Sequence, residues 1–82
     1  MNTVYSKENC PQCVQAKQYL AQKGHEFQEL IVEYDTTIKQ DGKLYISREE
    51  FMQKFPTVRA MPFIVAADGS PIGGLTALRQ VL

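Results

Sequence analysis

The chain has 82 residues, 44% of them hydrophobic, and its nine basic and nine acidic side chains cancel to zero net charge. That length holds one hydrophobic core, so residues 1–82 read as a single domain. Balanced charge argues against a nucleic-acid or anionic-membrane surface, and no apolar run approaches the roughly 18 residues of a membrane span. Met1–Tyr5 lacks the basic and apolar regions of a signal peptide. The two cysteines are too few to staple a secreted domain, which points to a reducing, cytoplasmic setting.

Thr3-Val4-Tyr5 reads as a short strand leading into the loop Ser6 to Asn9. From Pro11 to Lys23 the pattern is helical: Pro11 suits a first helical position, and Cys13, Ala16 and Leu20 share one face. Lys17 and Lys23 belong on the wet side, and Gly24 stops the helix. Phe27 to Val32 predicts a second strand, with Leu30-Ile31-Val32 apolar enough to be buried on both faces. Strand, helix and strand in this order suggest a right-handed parallel crossover.

Beyond Glu33, the turn signal Lys39-Gln40-Asp41-Gly42-Lys43 lets Ile38, Leu44 and Ile46 form a small ribbon around it. Ser47 with Glu50 makes a capping box for a helix running to about Lys54. Pro62 opens the strand Phe63 to Ala67, and Asp68-Gly69-Ser70 turns it back into Pro71-Ile72-Gly73. Leu75, Leu78 and Leu82 keep helical spacing to the end, so the predicted order is β-α-β-α-β-β-α. His25, after the helix stop, reads as a solvated loop residue, and the rings of Tyr34 and Tyr45 as packing.

Three features carry chemistry. Cys10 and Cys13 sit three positions apart at a helix start, where two thiols can close a small disulfide and reopen it. Cys10, at the extreme N-terminus, faces the unpaired N–H groups and dipole that stabilise a thiolate, whereas Cys13 lies one turn in, on the apolar face. Cys10 is therefore the attacking thiol and Cys13 the resolving one. Pairs of this kind place the nucleophile's pKa anywhere from roughly 3.5 to 7. Lys7 adds a favourable positive charge nearby. A zinc site would need two more ligands, and His25 is the only histidine. A structural disulfide would constrain too short a loop to matter. An iron–sulfur cluster shared between two chains and held partly by external thiols stays open as a module of a different class.

The second feature is Met61-Pro62, directly before a strand. A trans proline at a strand edge is the ordinary case, but beside a redox pair a cis bond is expected, leaving the Met61 N–H and C=O free to pair with an extended thiol peptide. The third is Gly73-Gly74 before the last helix, either a plain turn or a close backbone approach.

Taken together and in this order, Thr3-Val4-Tyr5, Cys10-Pro11-Gln12-Cys13, Met61-Pro62 and Ile72-Gly73-Gly74-Leu75-Thr76 resemble the glutaredoxins over nearly the whole chain. The resemblance implies an α/β, thioredoxin-like fold, a four-stranded mixed sheet flanked by helices. It also implies reduction of protein disulfides with glutathione as reducing co-substrate and no bound cofactor, by a monomer. The Ala67-Asp68-Gly69-Ser70-Pro71-Ile72-Gly73-Gly74 stretch looks most like small phage-encoded glutaredoxins, which implies ribonucleotide reductase as an electron acceptor in a host cytoplasm.

Carried over, Cys10 and Cys13 are catalytic, and glutathione is bound by Lys7, Gln12, Met61, Pro62, Gly74 and Thr76. Lys7 faces one glutathione carboxylate, the Met61 backbone meets the cysteinyl part, Pro62 is the cis-proline, and Gly74 and Thr76 receive the γ-glutamyl end. Gln12 stands where many members have tyrosine, and a glutamine there is common in glutaredoxin-like redoxins reduced by thioredoxin reductase, the alternative electron source. Ala77 stands where the family often has aspartate, and the segment from Glu33 to Ile46 is longer than the common pattern. Arg48 and Arg59 are candidates for the second glutathione carboxylate, but read first as ordinary surface charges.

Overall fold

In the computed structural model, which describes residues 1–82, β1 spans Asn2–Ser6 and a turn delivers the chain to α1, Pro11–Gln22. β2 (Phe27–Glu33), β3 (Leu44–Ser47) and α2 (Arg48–Lys54) follow, then β4 (Phe63–Val65), β5 (Pro71–Gly73) and α3 (Leu75–Val81). α1 begins with Pro11 at a position that needs no N–H donor, and it ends where Gly24 adopts φ 77°. α2 is capped as its sequence predicts: the Ser47 hydroxyl accepts the Glu50 N–H at 3.1 Å.

The sheet is mixed, in the order β3-β2-β1-β4-β5. β1 pairs parallel with β2, and β2 with β3, while β4 pairs antiparallel with β1 and β5. The α/β architecture is the expected one, but the sheet has five strands rather than four. The fifth comes from the segment read as a ribbon. Ile38 lies in no strand and is exposed, whereas Leu44–Ser47 lines up parallel to β2, with Ile31 opposite Tyr45 and Val32 opposite Ile46. The Tyr45 hydroxyl accepts the Gln40 N–H at 2.7 Å and Thr37 Oγ1 the Tyr34 N–H at 2.9 Å, so local polar bonds replace a ribbon between them. β4 also stops at Val65, short of Ala67, because the Ala66 N–H already closes the hairpin on the Ser70 carbonyl at 2.8 Å.

Alternation along the strands sorts the core onto the two sheet faces. Val4 and Ile64 point to the face covered by α1 and α3, where they meet Ala16, Leu20, Leu75 and Leu78. Tyr5, Val32, Ile46 and Phe63 point to the opposite face, under Phe51 of α2. There the rings of Tyr5, Phe51, Phe55 and Phe63 stand 4.9–6.4 Å apart in tilted and edge-on pairs, a geometry worth about 0.5–1.5 kcal/mol per pair beyond the area buried. Cys13 joins this second cluster although α1 lies on the first face, so the start of α1 reaches across the end of the sheet.

Candidate active site

The site forms where three chain segments far apart in sequence meet at one end of the sheet. From β1 the chain turns through Asn9, which takes the left-handed conformation (φ 55°) that asparagine tolerates better than most residues, and enters α1 at Cys10. Cys10 is the N-cap, with extended backbone (φ −120°, ψ 97°). Its carbonyl accepts the N–H groups of Cys13 and Val14 at 3.1 and 3.2 Å, and its Sγ lies 3.2 Å from the Cys13 N. Cys10 and Cys13 form a disulfide, with Cα atoms 5.3 Å apart. Cys10 is half-buried, while Cys13 is only 2% exposed.

The antiparallel register that sets Tyr5 opposite Phe63 brings the residues before β4 alongside those after β1. The Met61–Pro62 peptide bond is cis, and the Met61 carbonyl oxygen lies 3.8 Å from Cys10 Sγ. A disulfide sulfur carries no proton, so this is a contact in the oxidised protein; a Cys10 thiol would have a donor to offer there. Pairing of Ile64 with Gly73 then brings Gly73-Gly74 behind Pro62. Gly73 has φ 120°, and a Cβ there would stand 3.1 Å from that of Ala77, so glycine is required. Gly74 lies against the Pro62 carbonyl, where an added Cβ would make an ordinary 3.7 Å contact.

Two concavities flank this line of backbone. One, of about 600 Å³, has Lys7, Cys10 and Cys13 in its wall. The other, of about 480 Å³, is lined by Gln12, Gly74, Thr76, Ala77 and Gln80. Met61 and Pro62 are buried; of the residues singled out in the sequence, Lys7 shares the first concavity with Cys10 and Cys13, Met61 touches Cys10, and Gln12, Gly74 and Thr76 line the second. Arg48 and Arg59 are exposed and border a smaller cleft of about 180 Å³ beside Met61; Arg48 stands 5.9 Å over the Tyr34 ring.

One group at the site was not anticipated. Lys17 is half-buried rather than wet, and its Nζ lies 2.9 Å from Glu29 Oε2, which also accepts the Ser6 hydroxyl at 2.6 Å. Burial pushes the Glu29 carboxyl up, but the Ser6 hydroxyl and the Lys17 ammonium, helped by the field of Lys43, outweigh it and hold the group below its usual 4.5. Ser6 is the buried polar residue of the core, and both Lys17 and Glu29 line the larger concavity. The one signal in the sequence that could have found Lys17 is its spacing, one helical turn after Cys13; it is outweighed by the polar pattern of that side of α1.

The chain's residues 2–68 match the sequence model of the glutaredoxin family. The match ends before β5, so Gly73-Gly74 and Thr76 lie beyond it. No curated protein sequence matches the chain. Among solved structures, glutaredoxin 1 from Francisella tularensis, complexed with cacodylate, superposes with a TM-score of 0.69 at 26% identity, covering 96% of this chain and 87% of that one. The thioredoxin-like protein BC3987 superposes at 0.63 with 20% identity over 100% of both chains, and a mutant of that protein at 0.62 with 19% identity over 99% and 97%. These last two share the fold.

Proposed function

The chain belongs to the glutaredoxin family and is a thiol–disulfide oxidoreductase with a redox-active Cys10–Cys13 pair, and on that premise we propose that it reduces protein disulfides at the expense of glutathione. The observation that carries this reading is the placing of Cys10 Sγ, half-exposed, 3.2 Å from the Cys13 N and 3.8 Å from the Met61 carbonyl. The N–H stabilises a thiolate, as does the positive end of the twelve-residue α1, and the carbonyl lies where an extended substrate chain can pair.

The Cys10 thiolate attacks one sulfur of the substrate disulfide; the S–S bond breaks and the other sulfur leaves as a thiolate that takes a proton. Cys13, shielded until then, loses its proton and attacks Cys10 Sγ. The mixed disulfide breaks, the substrate departs as a dithiol carrying the two electrons it gained, and the protein is left oxidised as the Cys10–Cys13 disulfide. Two glutathione thiols then reduce that disulfide in two exchanges and leave as oxidised glutathione. In this reading Lys7 meets a glutathione carboxylate, the Met61 backbone holds its cysteinyl part beside Pro62, and Gln12, Gly74 and Thr76 surround the γ-glutamyl end. Residues 1–82 act as one domain and a monomer in the cytoplasm, with ribonucleotide reductase among the substrates.

A second reading rests on Gln12 and Ala77. Both line the smaller concavity and offer neither an aromatic wall nor an anionic acceptor for the glutathione amine, which suits a redoxin reduced by thioredoxin reductase. One experiment separates them: NADPH consumption with a disulfide substrate, coupled to glutathione plus glutathione reductase, or to thioredoxin reductase. Turnover in the first system is expected. Turnover in the second alone overturns the glutathione reading and leaves the exchange chemistry intact.

A further inference from the structure

On the face of the sheet that carries α1 and α3, the helices pack over β1, β4 and β5. The β2–β3 half of that face instead forms the floor of the larger concavity. Strand alternation and register put Glu29 and Ile31 of β2 and Tyr45 of β3 side by side on it. The loop of residues 34–43 joins these two parallel strands without a helix that would cover them. The result is a groove of about 600 Å³, open to solvent along the flank of α1, with Cys10 and Cys13 in its wall.

The charges in this groove are unequally committed. Glu29 is engaged by Lys17 and Ser6, and the Glu8 carboxylate accepts the Ile38 N–H at 3.3 Å. Lys7 and Lys43, both exposed, make neither an ion pair nor a side-chain hydrogen bond. Lys7 lies three residues before Cys10 in the chain, and Lys43 lies beside Glu29 at the start of β3, close enough to act on its carboxyl. A segment entering this groove meets two free ammonium groups, an aromatic ring, and the reactive sulfur.

Building on the exchange chemistry above, we propose that this groove docks the protein substrate: a polypeptide segment whose disulfide is flanked by acidic residues, lying along α1 with its carboxylates towards Lys7 and Lys43. Charges of this exposed kind act mainly on encounter and selection rather than on the chemical step. Lys7 serves both ligands in turn, glutathione through one carboxylate and the protein substrate through its acidic flank, whereas Lys43 belongs to the protein substrate alone.

The test uses the pre-reduced full chain and measures the second-order rate of disulfide reduction, with no glutathione present, so the outcome is independent of the electron source. Two peptides of equal length, each closed by one disulfide, carry either aspartates or lysines beside the cysteines; the small neutral disulfide of 2-hydroxyethanethiol is the reference. The acidic peptide should react about ten-fold faster than the basic one at low ionic strength, and the gap should close as salt is added. Lys43→Glu should slow the acidic peptide about ten-fold and Lys43→Arg should preserve its rate, while both variants reduce the small disulfide like the parent. Equal rates for the two peptides, or a Lys43→Glu effect that is the same for acidic, basic and small disulfides, would overturn the proposal.

Discussion

Glu29 is the residue whose setting departs furthest from a surface strand position. Its carboxylate lies half-buried between the Ser6 hydroxyl and the Lys17 ammonium, and is held below its usual value of 4.5. A carboxyl whose folded value is depressed contributes stability above its unfolded value and loses it as pH falls through the folded one. Denaturant unfolding followed from pH 7 downwards should therefore show stability falling below about pH 4.5, and Glu29→Gln should flatten that part of the curve. An unchanged slope in the variant would mean that the contacts do not favour the ionised form. The group was hard to see in the sequence because the helical pattern of α1 puts Lys17 on the polar side. Only the strand that follows, twelve residues on, supplies the carboxylate that draws it in.

At the scale of elements, the capping of α2 and the pairing of β3 contrast. Ser47 and Glu50 announce a helix start through a bond between neighbours, and the Ser47 hydroxyl accepts the Glu50 N–H as the spacing requires. Ser47→Ala should cost about 1 kcal/mol in urea unfolding, with exchange activity intact, since Ser47 lines neither concavity beside the cysteines. A change of less than about 0.3 kcal/mol would mean that the cap is redundant. β3 gives no comparable local sign. Four residues with Leu44 exposed are too short for a period, and their partner, β2, is reached across ten intervening residues. Their place in a parallel sheet is decided by Ile46 joining the cluster around Phe51, a tertiary contact. That is why a local ribbon was the natural expectation and a fifth strand the outcome.

For the whole molecule, register does the assembling. β1 against β4 sets Met61 beside Cys10, 51 positions away in the chain, and β4 against β5 sets Gly74 against the Pro62 carbonyl. Their identities were legible because each is an unusual choice for its element: a cysteine pair at a helix start, a proline opening a strand, paired glycines before a helix. The groove beside α1 was not legible, because it exists only where β3 widens the sheet beyond the cover of its helices. The central claim is that Cys10 is the nucleophile, that glutathione is its partner, and that Cys13 only resolves. It is tested most directly by treating the Cys13→Ser and Cys10→Ser proteins with excess oxidised glutathione and reading the adducts by intact mass and peptide mapping. The account predicts one glutathione per chain on Cys10 of the Cys13→Ser protein and none on the Cys10→Ser protein; an adduct on Cys13 alone, or none on either, would contradict it.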